Sequence, residues 1–184
     1  MTKKWGLPMY TDIERAIKFA TIGHNLQKRK DGISFVCHPF TVGYMLKDIG
    51  LEDKYVVMGI LHDVIEDTDY TYDDIVYYFN EEIADGVMMI SEDKSITDFV
   101  ERKLKFMEQI SNIEDNNILM IECADKLHNL LYDYEKDPRI LFRYSDKRRW
   151  FYHEMQKIIN RRCRGILVKR LNEMIKIMDC SIYV

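Results

Sequence analysis

The stretch 52–67, which reads EDKYVVMGILHDVIED, decides the fold class of this chain. Its apolar side chains recur at the spacing of one helix face, formed by Val57, Ile60, Leu61 and Val64. The pattern predicts a buried helix that carries His62 and Asp63 near its end. Glu66 and Asp67 follow one turn later, so all four polar side chains are expected along the same wall of a cavity.

Helical patterns also fill the rest of the chain, and no stretch alternates apolar and polar residues over a useful length. Short connections between such patterns are typical of helix bundles. The sequence therefore predicts an all-α fold of about eight to nine helices. Their expected ranges are about 12–31, 39–49, 52–65, 72–79, 83–90, 97–111, 117–135, 138–163 and 165–179.

Residues with known capping preferences mark the ends of these helices. Capping boxes, in which a threonine and an acidic residue satisfy each other's backbone N–H groups, are expected at Thr11 with Glu14 and at Thr71 with Asp74. The sequence Asp31-Gly32 is expected to end the first helix and Gly50 to end the second. Asn80 is expected to end the fourth helix in the left-handed conformation.

The composition suits one soluble globular domain. The chain has 184 residues, 47% of them hydrophobic and 32% charged, with 8 Gly and 3 Pro. This length is typical of one domain, and the scarcity of Gly and Pro favours helices over a turn-rich sandwich. We expect a single domain over 1–184, with a basic helical extension over about 136–184 packed on it.

Charge is distributed unevenly along the chain. Residues 1–135 hold 14 Lys and Arg against 26 Asp and Glu, whereas residues 136–184 hold 13 against 5. A basic segment can bind nucleic acid. Here the arginines alternate with apolar residues at helical spacing, which favours the outer faces of long helices. We therefore expect no nucleic-acid partner, although such a partner stays an alternative.

Cysteine usage and hydropathy bear on the compartment. Cys37, Cys123, Cys163 and Cys180 form no CxxC pair, which predicts reduced thiols in the cytoplasm. No apolar run approaches 18 residues, so no membrane span is expected. The N-terminal stretch lacks the apolar core of a signal peptide.

Two histidines and two aspartates form the candidate metal site: His38, His62, Asp63 and Asp125. Mixed nitrogen and oxygen donors suit Mn, Fe or Zn, and Mg less well. Glu66 and Asp67 would add further negative charge to the same cavity. Because such carboxylates repel one another, a bound cation is the simplest way to keep them together.

Five stretches of the chain match the motifs of one family. They are HNLQKRKDG at 24–32, HP at 38–39, LHDVIEDT at 61–68, EDK at 92–94 and ADKLHNL at 124–130. Together they resemble the hydrolase domain of the RelA/SpoT alarmone enzymes, a group of HD-domain metal-dependent phosphohydrolases. In organisation, the chain is most similar to the small stand-alone alarmone hydrolases, including the metazoan SpoT homologues. The resemblance covers roughly residues 10–155.

This resemblance implies an HD-domain helical bundle with one divalent ion, usually Mn²⁺, held by the four candidate ligands. The implied reaction removes the 3′-pyrophosphate of guanosine tetraphosphate or pentaphosphate and gives GDP or GTP. The implied activity is breakdown of the alarmone and not its synthesis. Glu66 and Asp67 match the catalytic acidic pair, and we expect Glu66 to act as the base.

The resemblance and the charge of the substrate also suggest which residues bind the nucleotide. Arg29 and Lys30 match the basic pair beside the nucleotide, and Asn129 matches the site asparagine. Arg148 and Tyr152 fit an R-x-x-x-Y pattern that faces the substrate in the small hydrolases. Cations must offset the negative charges of the substrate, which adds Lys94 and Lys103. His24 is expected to be a hydrogen-bonded packing residue instead.

Departures from the family pattern leave the substrate open. Glu122 stands where a basic residue is common, and this could alter phosphate affinity. One alternative is an HD-domain phosphohydrolase for another nucleotide or a phosphorylated dinucleotide cofactor. Another is a nucleotide sensor without turnover. The sequence does not indicate an oligomeric state.

Overall fold

The structure, a computed structural model, describes residues 11–180. The N-terminal stretch for which no signal peptide is expected lies outside this range. Within it, regular structure is helical, apart from one isolated bridge between Lys28 and Ser34, and the predicted all-α fold is confirmed. The helices are α1 (Asp12–Gly23), α2 (Cys37–Asp48), α3 (Asp53–Leu61), α4 (Val64–Asp67), α5 (Tyr72–Tyr78), α6 (Glu81–Met89), α7 (Phe99–Ser111), α8 (Asn116–Lys136), α9 (Arg139–Phe142), α10 (Asp146–Arg162) and α11 (Ile166–Cys180).

The described residues contain more helices than the eight to nine expected, because two predicted helices are each interrupted once. The helix expected over 52–65 ends at Leu61, and α4 follows after His62 and Asp63. The helix expected over 138–163 divides into α9 and α10. In both cases the interruption leaves a single helical turn beside a longer helix.

The expected end of the first helix was wrong. The helix α1 ends at Gly23, and Leu26 then adopts the left-handed conformation with a φ of 71°. The chain continues into a loop closed by the Lys28–Ser34 bridge. A residue with positive φ cannot continue a right-handed helix, so the basic residues of this region lie on a loop.

The other helix ends give a mixed result. Both expected capping boxes are present, at α1 and at α5. Gly50 follows α2 with a φ of 82°, as expected of a residue after a helix end. The expectation for Asn80 was wrong: its φ is −171°, and its side chain accepts a hydrogen bond from the Ile83 N–H at the start of α6.

Two compact units divide the described chain, one ending at Ser91 and the other beginning at Glu92. In the first unit, α3 packs against α1, α2 and α6. Close approach of α2 and α3 requires glycine, because a Cβ atom at Gly43 would lie 2.5 Å from Ile60 Cγ1, and one at Gly59 would lie 2.4 Å from Leu46 Cδ1. Residues 55–61 of α3 are all buried, and this buried part of the helix leads directly to His62.

In the second unit, the long helix α8 packs against α9, α10 and α11, and α10 also packs against α7. The helices of the basic tail therefore form part of a packed core. Arg149 is buried, and its guanidinium donates to the carbonyl oxygens of Leu141, Phe142 and Tyr144. These bonds offset the cost of burying a cation.

Two further expectations concern thiols and membranes. All four cysteines are free thiols, and Cys123 and Cys163 are buried. Burial raises the pKa of the Cys123 thiol well above its usual value. Along residues 11–180, no helix combines the length and the apolar character needed to cross a bilayer.

Candidate metal centre and catalytic residues

Three of the four expected metal ligands converge in the first unit. Donor atoms of His38, His62 and Asp63 all lie within 4.8 Å of one another. Asp63 Oδ2 is 3.5 Å from His38 Nε2 and 3.2 Å from His62 Nε2. Both imidazoles are buried, and the carboxylate is partly exposed. Two neutral nitrogens and a carboxylate oxygen suit a divalent ion of the Mn, Fe or Zn type.

Helix ends place these ligands. His38 lies in the first turn of α2, whereas His62 and Asp63 occupy the interruption between α3 and α4. Consecutive residues of a continuous helix point about 100° apart. The backbone at Asp63 has a φ of −93° and a ψ of −3°, which departs from ideal helical geometry. This departure lets the consecutive residues His62 and Asp63 contribute to the same cluster.

The tautomer of His62 suits metal binding. His62 Nδ1 lies 2.8 Å from the carbonyl oxygen of Gly59. Because a carbonyl only accepts hydrogen bonds, Nδ1 carries the proton, and in the neutral ring Nε2 keeps a lone pair toward Asp63. A backbone hydrogen bond of this kind orients metal-binding histidines in proteins. The donor set therefore fits a divalent ion.

The expected catalytic pair lies on the single turn α4. Glu66 and Asp67 are both half-buried. The Asp67 N–H donates to the Asp63 carbonyl oxygen at 2.9 Å, so Asp67 follows the metal cluster by one helical turn. The expected spacing of these carboxylates is thus kept, although His62 and Asp63 do not belong to a continuous helix.

Arg29 and Lys30 lie on the loop between α1 and α2. The Arg29 N–H donates to the Ile33 carbonyl at 2.8 Å, and the Gly32 N–H donates to the Arg29 carbonyl at 2.9 Å. Arg29 is half-buried and Lys30 is exposed. The backbone bonds hold the loop as a tight hairpin, which fixes where these two cations leave the chain.

Asp125 is held by two donors within α8. Lys126 Nζ lies 2.6 Å from Asp125 Oδ2, and Asn129 Nδ2 lies 2.6 Å from Asp125 Oδ1. Lys126 Nζ is also 3.2 Å from Glu122 Oε2. Burial lowers the pKa of Lys126, but Asp125, Glu122 and Glu92 raise it more, and the result is well above the usual value. Lys126 is therefore a permanent cation beside Asp125.

Lys103 and Lys94 are placed differently within the second unit. Lys103 donates to Glu92 Oε1, and its ammonium lies 4.2 Å from the ring centroid of Phe151. Lys94 is exposed. Burial raises the pKa of Glu92, but the charges of Lys103 and Lys126 lower it by more, so the net shift is downward. Lys103 thus has a structural partner as well as its expected role toward substrate.

Arg148 and Tyr152 are neighbours on α10. The Arg148 guanidinium lies 3.7 Å from the ring centroid of Tyr144 and 3.5 Å from Asp133 Oδ2. Tyr152 is buried, and burial raises the pKa of its hydroxyl. The phenol is therefore neutral at physiological pH and able to donate a hydrogen bond.

The structure adds two residues that the sequence did not single out. Gln27 uses its side-chain amide to link the buried His24 to the backbone of Asp67. Lys126 contacts the expected ligand Asp125. Both residues occur in the quoted motifs, but a side chain next to a ligand in sequence gives no sign of what it contacts. The expectation that His24 is a hydrogen-bonded packing residue is confirmed.

The expected site residues thus fall in both units. The first unit holds His38, His62, Asp63, Glu66, Asp67, Arg29 and Lys30, whereas the second holds Lys94, Lys103, Asp125, Asn129, Arg148 and Tyr152. Three metal donors are brought together. The fourth ligand, Asp125, and the catalytic and substrate-binding roles stay predictions.

Known proteins with similar sequences include enzymes of alarmone metabolism. The guanosine-3′,5′-bis(diphosphate) 3′-pyrophosphohydrolase of Aquifex aeolicus is 33% identical over 133 residues, which cover 70% of this chain and 19% of that protein. The protein of the same name from Borreliella burgdorferi is 36% identical over 126 residues, covering 64% and 18%. The chain therefore spans about a fifth of the length of these relatives.

A solved structure supports the fold. A metazoan SpoT ortholog described as hydrolysing ppGpp superposes with a TM-score of 0.73 at 23% identity, covering 92% of this chain and 96% of that one. The resemblance drawn from the sequence motifs is confirmed by these similarities. A family model of the HD domain matches residues 16–147, and the chain belongs to the HD-domain family.

Proposed function

We propose that this protein is a divalent-metal phosphohydrolase that removes the 3′-pyrophosphate from guanosine tetraphosphate or pentaphosphate. The observation that carries the proposal is the cluster of His38, His62 and Asp63, followed one turn later by Glu66 and Asp67. Relatives at 33% and 36% identity carry the name of this activity. The proposal includes a nucleotide partner and a cytoplasmic location.

In the proposed site, His38, His62 and Asp63 would hold Mn²⁺, and Asp125 of the second unit would be the fourth ligand. When bound, the ion lowers the pKa of water and offsets charge on a phosphoryl oxygen. His62 is prepared for this role because its Nδ1 proton is committed to the Gly59 carbonyl. In the second unit, Lys126 and Asn129 fix both oxygens of Asp125.

Proton transfer is assigned to the carboxylates of α4. Glu66 accepts the proton of the attacking water, and Asp67 holds Glu66 or the surrounding water in place. Both carboxylates are half-buried on the same single turn. Their position one turn beyond the metal donors gives them access to the same water.

Recognition of the nucleotide is assigned to cations and hydrogen-bond donors in both units. Arg29 and Lys30 bind phosphates from the hairpin loop, together with Lys94, Lys103 and Arg148. Tyr152 and Asn129 act as hydrogen-bond donors. Lys103 also contacts Glu92, so its charge is shared between that carboxylate and the substrate.

Glu122 does not weaken this proposal. Its carboxylate is buried and lies 3.2 Å from Lys126 Nζ, within the same helix. Glu122, which departs from the family pattern, is therefore paired with a cation of the protein that it shares with Asp125. This pairing favours an effect of Glu122 on Lys126 over a direct repulsion of substrate phosphate.

The test is release of pyrophosphate from guanosine tetraphosphate by the purified protein with Mn²⁺. Mg²⁺, Zn²⁺ and chelator are compared in parallel, together with other 3′-phosphorylated nucleotides and phosphorylated dinucleotide cofactors. We expect pyrophosphate and GDP as products, with Mn²⁺ giving the highest rate. Release of orthophosphate, or faster turnover of another nucleotide, would overturn the assignment of substrate.

Arg29→Ala tests the assigned substrate contact. The variant is expected to weaken binding of guanosine tetraphosphate by about 1–3 kcal/mol, as for a charge-assisted contact, and to affect a simple 3′-nucleotide less. Lys28→Ala provides a control from the same loop, because Lys28 is exposed. Equal losses on both nucleotides would argue against recognition of the pyrophosphate by Arg29.

A further inference from the structure

The side chain of Gln27 joins two parts of the candidate site, and we infer that it is a positioning residue for the catalytic carboxylates. It lies on the loop that carries Arg29, two residues before it. It contacts the backbone of Asp67, at the end of the helix that carries Glu66. The inference rests on the proposed function, because it assigns Gln27 a role toward that same site.

Both ends of the Gln27 amide are engaged. Oε1 lies 2.8 Å from His24 Nδ1, and Nε2 donates to the carbonyl oxygen of Asp67. Since the amide oxygen only accepts, His24 Nδ1 is the donor in the first bond. The direction of the amide is therefore determined: turning it over would set a carbonyl oxygen against the Asp67 carbonyl.

The Asp67 carbonyl needs a partner from outside its own helix. The last carbonyl groups of any helix lack intrahelical donors, and α4 has only one turn. Its own backbone bonds near the end are Asp67 N–H to the Asp63 carbonyl at 2.9 Å and Thr68 N–H to the Val64 carbonyl at 3.2 Å. The Gln27 amide acts as a cap on this short turn and limits fraying of the two residues that carry the carboxylates.

His24 holds Gln27 in turn. It is 1% exposed, forms the C-terminal cap of α1, and its ring lies 5.0 Å from that of Phe35. Between His24 and Gln27, Leu26 adopts the left-handed conformation, with a φ of 71°, although its side chain is 87% exposed. Burial of the Leu26 side chain therefore does not stabilise this left-handed backbone conformation. It is kept by the surrounding bonds, which bring Gln27 under the end of α4.

This connection has a kinetic consequence. The loop positions Arg29, and α4 positions Glu66 and Asp67. The Gln27 amide fixes the loop and α4 relative to each other. Loss of the amide removes no charged group but allows α4 to move, together with the carboxylates of Glu66 and Asp67. Small displacements of reacting groups lower turnover much more than they lower binding. Gln27 is thus expected to affect kcat and to leave KM and metal affinity nearly unchanged.

Two variants test the inference. Gln27→Met keeps the length of the side chain and removes both hydrogen bonds. Gln27→Glu keeps an acceptor for His24 but sets a carboxylate oxygen against the Asp67 carbonyl. We expect either variant to lower kcat on guanosine tetraphosphate about tenfold or more, with KM and the Kd for Mn²⁺ changed less than about twofold.

A matched control is Gln156→Met in the second unit. The Gln156 amide is also half-buried and donates to Asn172 Oδ1 at 2.7 Å. It tests the cost of losing a glutamine hydrogen bond away from the candidate carboxylates. We expect a comparable fall in Tm and an unchanged kcat.

A measurement without turnover separates this inference from the proposed function. Hydrogen exchange over residues 64–70, followed by mass spectrometry in the presence and absence of Mn²⁺, reports fraying of α4 directly. We expect faster exchange over these residues in both Gln27 variants and an unchanged rate of exchange in Gln156→Met. Unchanged exchange, or a raised KM with an unchanged kcat, would overturn the inference. If the wild type does not hydrolyse guanosine tetraphosphate, the proposed function fails while the exchange result still decides the role of Gln27.

Discussion

The two units bury different kinds of polar group. The first buries three histidines, His24, His38 and His62. The second buries full charges, those of Glu122, Asp125, Lys126 and Arg149. Histidine can be buried neutral at little cost, whereas a buried charge needs a partner of opposite sign or several hydrogen bonds.

The first unit thus holds a cluster suited to binding a ligand, whereas the buried charges of the second unit compensate one another. In the second unit, Lys126 and Lys103 compensate Asp125, Glu122 and Glu92 from within the protein. In the first unit, the donor set of neutral imidazoles and one carboxylate matches the preferences of a divalent ion. Removing the carboxylate of Asp63 should therefore act mainly on metal binding and turnover, and removing the cation of Lys126 mainly on stability.

The strongest test of the first unit is Asp63→Asn. An amide has nearly the shape of the carboxylate but lacks its charge, so Mn²⁺ binding should be lost. Turnover should fall on the order of 1000-fold or more, beyond the effect of about 10 to 100-fold that is typical of groups behind the ligands. Metal titration and initial rates measure both. Asp73→Asn is the control, because Asp73 is exposed on α5. Retained Mn²⁺ affinity would remove the central evidence for the metal site.

The corresponding test of the second unit is Lys126→Met. Removing the cation leaves Asp125 and Glu122 buried without their shared partner, which should lower the free energy of unfolding by about 3–5 kcal/mol. Urea denaturation in the presence of chelator measures it. Lys105→Met should have little effect, because its side chain is 61% exposed and its contact with Glu101 is 3.7 Å long. Equal stability of the two variants would show that the buried charges do not balance as described.

Glu66→Gln is expected to have an intermediate effect on turnover. It preserves shape and removes basicity, so kcat should fall about 100-fold, the scale of losing a general base, while Mn²⁺ binding persists. Steady-state kinetics and metal titration separate the two quantities. Near-normal turnover would transfer the role of base to Asp67, which the matching Asp67→Asn variant would reveal.

The smallest expected effect concerns pH and Glu92. Its pKa is lowered in the folded protein relative to the usual 4.5, so its contribution to stability is complete above that value and is lost as the pH falls through the folded-state pKa. Glu92→Gln should lower the free energy of unfolding by about 1–2 kcal/mol at pH 7. The difference from wild type should shrink below about pH 4.5. Denaturation at several pH values measures it, and a difference that grows in acid would contradict the prediction.

Local chemistry explains which parts of the fold could be predicted from sequence. The buried helix α3 and both capping boxes follow from periodicity and from hydrogen bonding between neighbours in the chain. The end of α1 does not, because the left-handed conformation falls on Leu26 and not on the nearby Gly23 or Asn25. Asn80 suits either end of a helix, and the start of α6 at the next residue makes it an N-terminal cap.

The site shows a similar division. The metal donors could be named from residue type and motif, and the structure brings His38, His62 and Asp63 together. The interruption between α3 and α4 could not be predicted, since the apolar pattern continues through it. Gln27 could not be given a role, because its contact with Asp67 joins residues 40 positions apart. Contacts over such distances depend on the packed fold and leave no local pattern.

The glycine contact between α2 and α3 has a consequence for the spacing of the two buried imidazoles. His38 lies in the first turn of one of these helices and His62 directly follows the other, so the gap between the two imidazoles depends on how closely the helices approach. Gly43 and Gly59 permit that approach, and a methyl group at either would force Ile60 or Leu46 to shift. The spacing of the two imidazoles thus depends on two residues of the core that carry no side chain, and not on the histidines alone.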